Sequence, residues 1–116
     1  MPIFALPVLL AAAAAAPPPP APGRETVIPF VHSRGVLDWK AAGDDSLYIR
    51  GYDGRWYYVR TSDRCPRLAD ALTLGFVVSA NDQLDRYGAI LAQGMRCPIA
   101  SVTFAAAPPP RYRRHR

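Results

Sequence analysis

A chain of 116 residues has room for one domain. Its formal charge of +5 is unevenly spread, because Arg111, Arg113, Arg114 and Arg116 supply four of the fourteen basic residues. The other ten face nine acids and leave the body at +1, so basic character belongs to the tail and nucleic acid is not the expected partner. Thirteen of the basic residues are Arg and only Lys40 is Lys, which with the Ala and Pro abundance reads as GC-rich codon usage.

Residues 1–16, MPIFALPVLLAAAAAA, carry no side-chain charge and run into four prolines. A membrane-spanning helix needs about 20 apolar residues, and this run is shorter and broken at Pro7. An apolar stretch followed by small residues has the layout of a secretory signal peptide, cut within residues 11–16 because proline after the cut is unfavourable. The alternative is an Ala/Pro-rich leader of a cytosolic protein. Export is the reading adopted, with no membrane span and a periplasmic or secreted location. No Cys follows the leader closely, so a lipid anchor has no attachment point there.

Residues 17–24 form a proline-rich, extended tether. Residues 25–105 form the domain. Within it, residues 27–31 (VIPFV) can dock on a core, with Pro29 marking an edge strand or no strand. Residues 36–39 read as a short strand ended by the turn-forming Gly43, Asp44 and Asp45.

The clearest pattern is LYIRGYDGRWYYVR, residues 47–60, where aromatic and β-branched runs flank Asp53-Gly54. A two-residue turn would scatter the apolar side chains over both faces. A three-residue loop, residues 52–54 with Gly54 left-handed, pairs Ile49 with Tyr57 and Leu47 with Val59. It gathers those four on one face and puts Tyr48, Arg50, Trp56, Tyr58 and Arg60 on the other. A one-residue slip turns a strand over, so the pattern selects the three-residue loop.

Beyond the hairpin, Pro66 suits the first turn of a helix, and Leu68, Ala71 and Leu72 fall at i, i+3 and i+4, predicting one short helix that Gly75 stops. Residues 76–78 read as a strand and Asn81-Asp82 as a turn. Residues 84–91 are extended, and Gln93-Gly94 predicts a second hairpin into residues 95–99. Pro98 there calls for an edge or a bulge. Residues 101–104 close the domain, and residues 106–116 are a Pro/Arg-rich tail. The expected fold is α+β: a small β-rich single domain, an antiparallel sheet of about 5–6 short strands with one short helix, between a disordered leader and a disordered tail.

Cys65 and Cys97 are the only cysteines. An even count in an exported chain favours a disulfide, and the spacing fits neither a CxxC redox motif nor a zinc site. Closing a loop of about 33 residues is worth roughly 3.5–4 kcal/mol in the chain-entropy model. A domain of this size buries only a modest core, so that contribution matters.

Catalysis finds few candidates. His32 and His115 are the only histidines, and the tail residue is too mobile to serve as a general base. Ser33 beside His32 is not a catalytic pair, since neighbours need not face each other and no orienting acid is indicated. Asp82 reads as a turn residue. Asp85 beside Arg86 holds a loop by an ion pair or a backbone bond, and Asp44-Asp45 lacks the alternating ligands of a calcium loop. The chain is therefore expected to be no enzyme, with no cofactor and no metal. The outward hairpin face could stack on bases or sugars and contact phosphates. The plainer expectation is that the short helix or residues 28–31 cover it, with the arginines reaching solvent. Four tail arginines contribute up to about 1 kcal/mol each at an anionic surface, which alone is only about millimolar affinity.

The order Ile28-Pro29-Phe30, Asp38-Trp39, Leu47-Tyr48-Ile49, Gly54-Arg55-Trp56-Tyr57, Cys65, Gly75-Phe76, Asp85-Arg86, Ala89-Ile90 and Cys97-Pro98-Ile99 resembles a family of small exported alphaproteobacterial proteins known only as a domain of unknown function. The resemblance spans about residues 27–103. It implies one disulfide-bonded domain of the cell envelope and supplies no activity, and the basic tail lies outside it. Function is accordingly read as a non-enzymatic binding or structural module of the envelope. The alternative is a binder of a polyanion, glycan or nucleic acid, possible if an anionic envelope component meets both the hairpin face and the tail.

Overall fold

The computed structural model of the chain describes residues 22–78 and 81–109. The leader, most of the tether and the arginines of the tail lie outside the described residues. Six strands follow in order: β1 (Val36–Ala41), β2 (Ser46–Gly51), β3 (Trp56–Thr61), β4 (Leu74–Val77), β5 (Ala89–Ala92) and β6 (Met95–Ala105). They form one curled antiparallel sheet in the order β1-β2-β3-β6-β5-β4.

The β2–β3 hairpin has the register that places its apolar residues on one face: Ile49 pairs with Tyr57 and Leu47 with Val59. Gly51 N–H donates to Arg55 O across the three-residue loop, and Gly54, at φ 81°, takes the left-handed position that a side chain would disfavour. The second hairpin turns at Gln93-Gly94, both left-handed (φ 50° and 84°), as a type I′ turn requires.

β6 organises the rest. Residues 95–98 pair with β5, and from Ile99 to Ala105 the same strand pairs with β3. The ladder with β3 is irregular next to Pro98, with Thr61 opposite Ile99 and Arg60 opposite Ser101, so Ala100 is the extra residue of a bulge. The later part of β6 has a second neighbour. Gly23 N–H donates to Phe104 O, Thr26 N–H to Val102 O, and Phe104 N–H to Arg24 O. The segment then bridges Ile28 to Leu84. Residues 28–31 thus form no strand of the sheet, and Phe30 adopts φ 56° as the chain turns away.

The inner face of the sheet carries the core. Trp39, Leu47, Ile49, Tyr57, Val59, Ile90, Ile99 and Val102 are buried there, and Ile28, Val31, Leu68, Ala71 and Leu84 close over them from the loops. Tyr57 reaches out of the core to donate its hydroxyl to Asp53 Oδ2 at 2.8 Å, a fit for a side chain with an apolar body and a polar tip.

The expected helix after Pro66 is absent, and the fold is a small β domain instead of α+β. Leu68 N–H donates to Cys65 O and Ala71 N–H to Leu68 O, so the segment is two successive i→i+3 turns. Leu68 and Ala71 point inward while Leu72 is 76% exposed, which a helical i, i+4 stripe would not allow. Fewer than ten residues separate the pinned Cys65 from β4, too few to offset helix nucleation. Gly75 lies within β4 instead of ending a helix.

The Cys65–Cys97 disulfide is formed, with Cα atoms 5.8 Å apart and both residues buried. It ties the 62–73 loop to the start of β6. No helix among the described residues is long and apolar enough to cross a membrane.

Candidate binding face

Alternation along β1, β2, β3 and β6 places two rows of side chains on the outer face. One row runs Asp38, Arg50, Trp56, Ala105 and the next Lys40, Tyr48, Tyr58, Thr103. A bulge between Val36 and Asp38 leaves Leu37 exposed and sets this phase along β1. All five hairpin residues singled out from the sequence therefore share one face, with Arg60 one row further on. The Tyr48 and Tyr58 rings lie 5.0 Å apart, the cross-strand contact expected of directly opposite aromatics. Lys40 Nζ sits 5.7 Å from the Trp56 ring centroid, a cation–π arrangement. Arg50 and Arg60 are exposed, and Arg50 Nε donates to Gly54 O at 3.1 Å.

Neither expected cover lies on this face. The described residues contain no helix, and Ile28 and Val31 belong to the core on the other side. Tyr48 and Tyr58 instead line a groove of about 390 Å³ with Pro22, Gly23, Thr103 and the segment from Phe104 to Pro109. A second hollow, of about 410 Å³, lies between residues 25–27 and 85–87. There Arg86 stacks 5.0 Å from the Tyr87 ring centroid and reaches Glu25 Oε1 at 3.4 Å. Both Arg86 and Tyr87 are solvent-facing, so this pair is worth little.

The candidate acids have structural roles here. Asp82 takes the left-handed region as a turn residue, and its carboxylate also clamps a loop 50 residues away in sequence. It accepts the His32 N–H at 2.6 Å, the Ser33 N–H at 2.8 Å and the Ser33 hydroxyl at 2.6 Å. Those bonds, the Ser33 hydroxyl first, hold Asp82 below the ordinary carboxylate range. The sequence offered no sign of this clamp beyond the turn itself. Ser33 is thus an anchoring donor to Asp82. Asp85 Oδ1 accepts the Tyr87 N–H at 2.9 Å, and Asp44 Oδ2 accepts from Arg64 Nε at 2.7 Å. Asp45 O receives the Thr61 N–H. Among the described residues no cluster of three or more His, Cys, Asp or Glu is placed to hold a metal ion. The candidate His115 and the tail arginines lie outside the described residues.

The profile of DUF6491, a family of unknown function, matches residues 1–105. The chain belongs to this family. The DUF6491 match takes in the leader as well as the whole sheet, and it stops where β6 ends, leaving the Pro/Arg-rich tail outside. No curated protein and no solved structure matches the chain.

Proposed function

We propose that this DUF6491 protein is an exported, non-enzymatic binding or structural module of the bacterial cell envelope, working outside the cytosol as the alphaproteobacterial proteins its motifs resemble are expected to do. The observation that carries the binding reading is the outer hairpin face, where Tyr48 and Tyr58 wall a groove and Trp56 and the exposed Arg50 and Arg60 share the same side of the sheet. Flat aromatic walls take up sugar rings or extended chain at little entropic cost. Export is supported by a leader that belongs to the family match and by a buried disulfide, which persists in oxidising compartments. The candidate acids support the non-enzymatic reading: the Asp82 carboxylate already accepts three hydrogen bonds, one of them from the His32 backbone N–H.

Capture from envelope extracts with the oxidised protein tests this reading, comparing the native chain with Tyr58→Ala. A component retained by the first and lost by the second supports a role for the face; capture indifferent to Tyr58 refutes it. Recovery of native protein with an intact leader and reduced thiols would refute export.

The exposed arginines favour a second reading, in which the ligand is a polyanion. Retention on heparin at low salt, weakened by Arg50→Gln with Arg60→Gln, is its expected result, because each lost cation reduces the counterion release that drives such binding. A chain that elutes with no retention at low salt excludes it.

A further inference from the structure

We infer that β4 is the seam of a homodimer: the open margin of this strand pairs antiparallel with the same strand of a second copy, about a two-fold axis at Phe76.

The two margins of the sheet are unlike. β1 lies at one of them, bulged between Val36 and Asp38 and carrying the charged Asp38 and Lys40. A bulge and charges on an edge strand discourage a further strand from adding. β4 lies at the other margin and has neither. Its ladder with β5 runs without irregularity from Leu74–Ala92 to Val77–Ala89. Residues 72–78, LTLGFVV, hold no charge and no proline. A short β-prone segment of that composition at a sheet margin is a template for strand addition unless something covers it. Among the described residues β4 pairs only with β5, and no backbone hydrogen bond joins its other side to a loop.

The side chains make the same point. Leu74 and Phe76 stand opposite Ala92 and Ile90, two residues of the core, and with Val78 they pack against it from the rim. All three stay half-exposed, so the core is open along this margin. Gly75 and Val77 alternate with them on the outer face.

Charge and register select the occupant. A charged strand finds no counter-charge between residues 72 and 78, whereas an uncharged apolar strand closes the row. β4 is itself such a strand. Directly opposite residues of an antiparallel pair share a face, so an axis normal to the sheet through Phe76 sets Phe76 against its copy, Leu74 against Val78 and Gly75 against Val77. The core rows of the two copies then meet in one layer with an aromatic pair at its centre. Such an interface is isologous, the same patch serving on both sides. It also closes. The margin left to each copy is β1, with its bulge and charges, so growth stops at a doubled sheet. None of this depends on the outer face of the hairpin binding a ligand.

Sedimentation of the oxidised protein over a dilution series tests the seam and should show a two-copy species. Leu74→Glu and Val78→Lys should each weaken it by about tenfold or more, since each sets a lone charge in the apolar row. Mixing the two variants should restore it, because the register brings the new carboxylate against the new ammonium at one end and leaves Leu74 against Val78 at the other. A formed disulfide and cooperative thermal unfolding certify the fold of each variant, and a folding lesion gains nothing from mixing. Amide exchange reads the seam without any substitution: it should slow at residues 72–78, and not in β1, as the native protein passes from single chains to two copies. Single chains at every concentration overturn the proposal and leave the margin to a strand of another protein. Two copies whose residues 72–78 gain no protection overturn it as well, as do folded variants that mixing does not rescue, since either places the contact elsewhere.

Discussion

Reducing the Cys65–Cys97 bridge changes no side-chain volume, which makes it a clean measure of what the bridge contributes. The two residues are 32 apart, and the closed loop takes in the two turns of residues 65–71, β4 and β5. In the folded chain much of that loop is held without the bridge: the Cys65 N–H donates to Asp44 O, Leu68 and Ala71 are in the core, and Cys97 stands in the β5–β6 ladder opposite Ile90. The effect therefore falls on the unfolded chain, where opening a loop of this length releases about 3.7 kcal/mol of entropy at 25 °C. A domain of about 80 residues unfolds with roughly 0.17 kcal/mol per kelvin, so the melting temperature should fall by about 20 °C. Thermal unfolding followed by circular dichroism, with and without a thiol reductant, measures this. The urea m-value should rise on reduction, since the opened chain exposes more surface. A reduced protein melting within about 5 °C of the oxidised one, with the same m-value, would refute the reasoning.

Gly88→Ala should destabilise the domain by about 1–3 kcal/mol in urea unfolding, since an added Cβ would stand 2.4 Å from Val77 O, a backbone atom that cannot swing aside. Tyr57→Phe should cost about 1 kcal/mol through the lost bond to Asp53. The Tyr57 phenol is raised above the ordinary tyrosine value, by burial first and then by the Asp53 hydrogen bond. Its stabilisation is complete below the unfolded value of 10.0 and is lost as pH climbs from there toward the folded one, so in an ultraviolet titration Tyr57 should ionise last. Asp82 has the opposite sign. Its folded value is depressed, so the stability difference between native chain and Asp82→Asn should be present above 3.8 and vanish as pH falls through the lower, folded value in acid-unfolding curves.

How much of this was readable depended on how local the signal was. The β2–β3 hairpin was, because alternation and Asp53-Gly54 act within fourteen residues and only one register buries Leu47, Ile49, Tyr57 and Val59 together. The second hairpin was readable for the same reason. The helix was misread because an i, i+3 apolar pair fits repeated tight turns as well as a helix, and the deciding facts are a distant bridge and a short span to β4. β6 was read as two pieces, residues 95–99 and 101–104; the bulge expected at Pro98 is there, at Ala100, and the strand runs on through it where its partner changes from β5 to β3. Of the candidate face, the alternation placed all five residues correctly on one side. What lies over them did not show, since the groove is built by segments that meet across about 80 residues of chain, Pro22-Gly23 and the stretch after β6. The Asp82 clamp on residues 32–33 was hidden likewise.

The position of β6 sets an order of events for the whole molecule. Strands β1 to β3 can associate as they are made, and so can β4 with β5, but the two groups have no ladder between them except through the final strand. The amino-terminal segment waits on that strand as well, because Gly23 and Thr26 find their acceptors at Phe104 and Val102. Assembly is thus deferred until β6 has been made, and a polypeptide interrupted before residue 99 holds two fragments of sheet with no seam to join them.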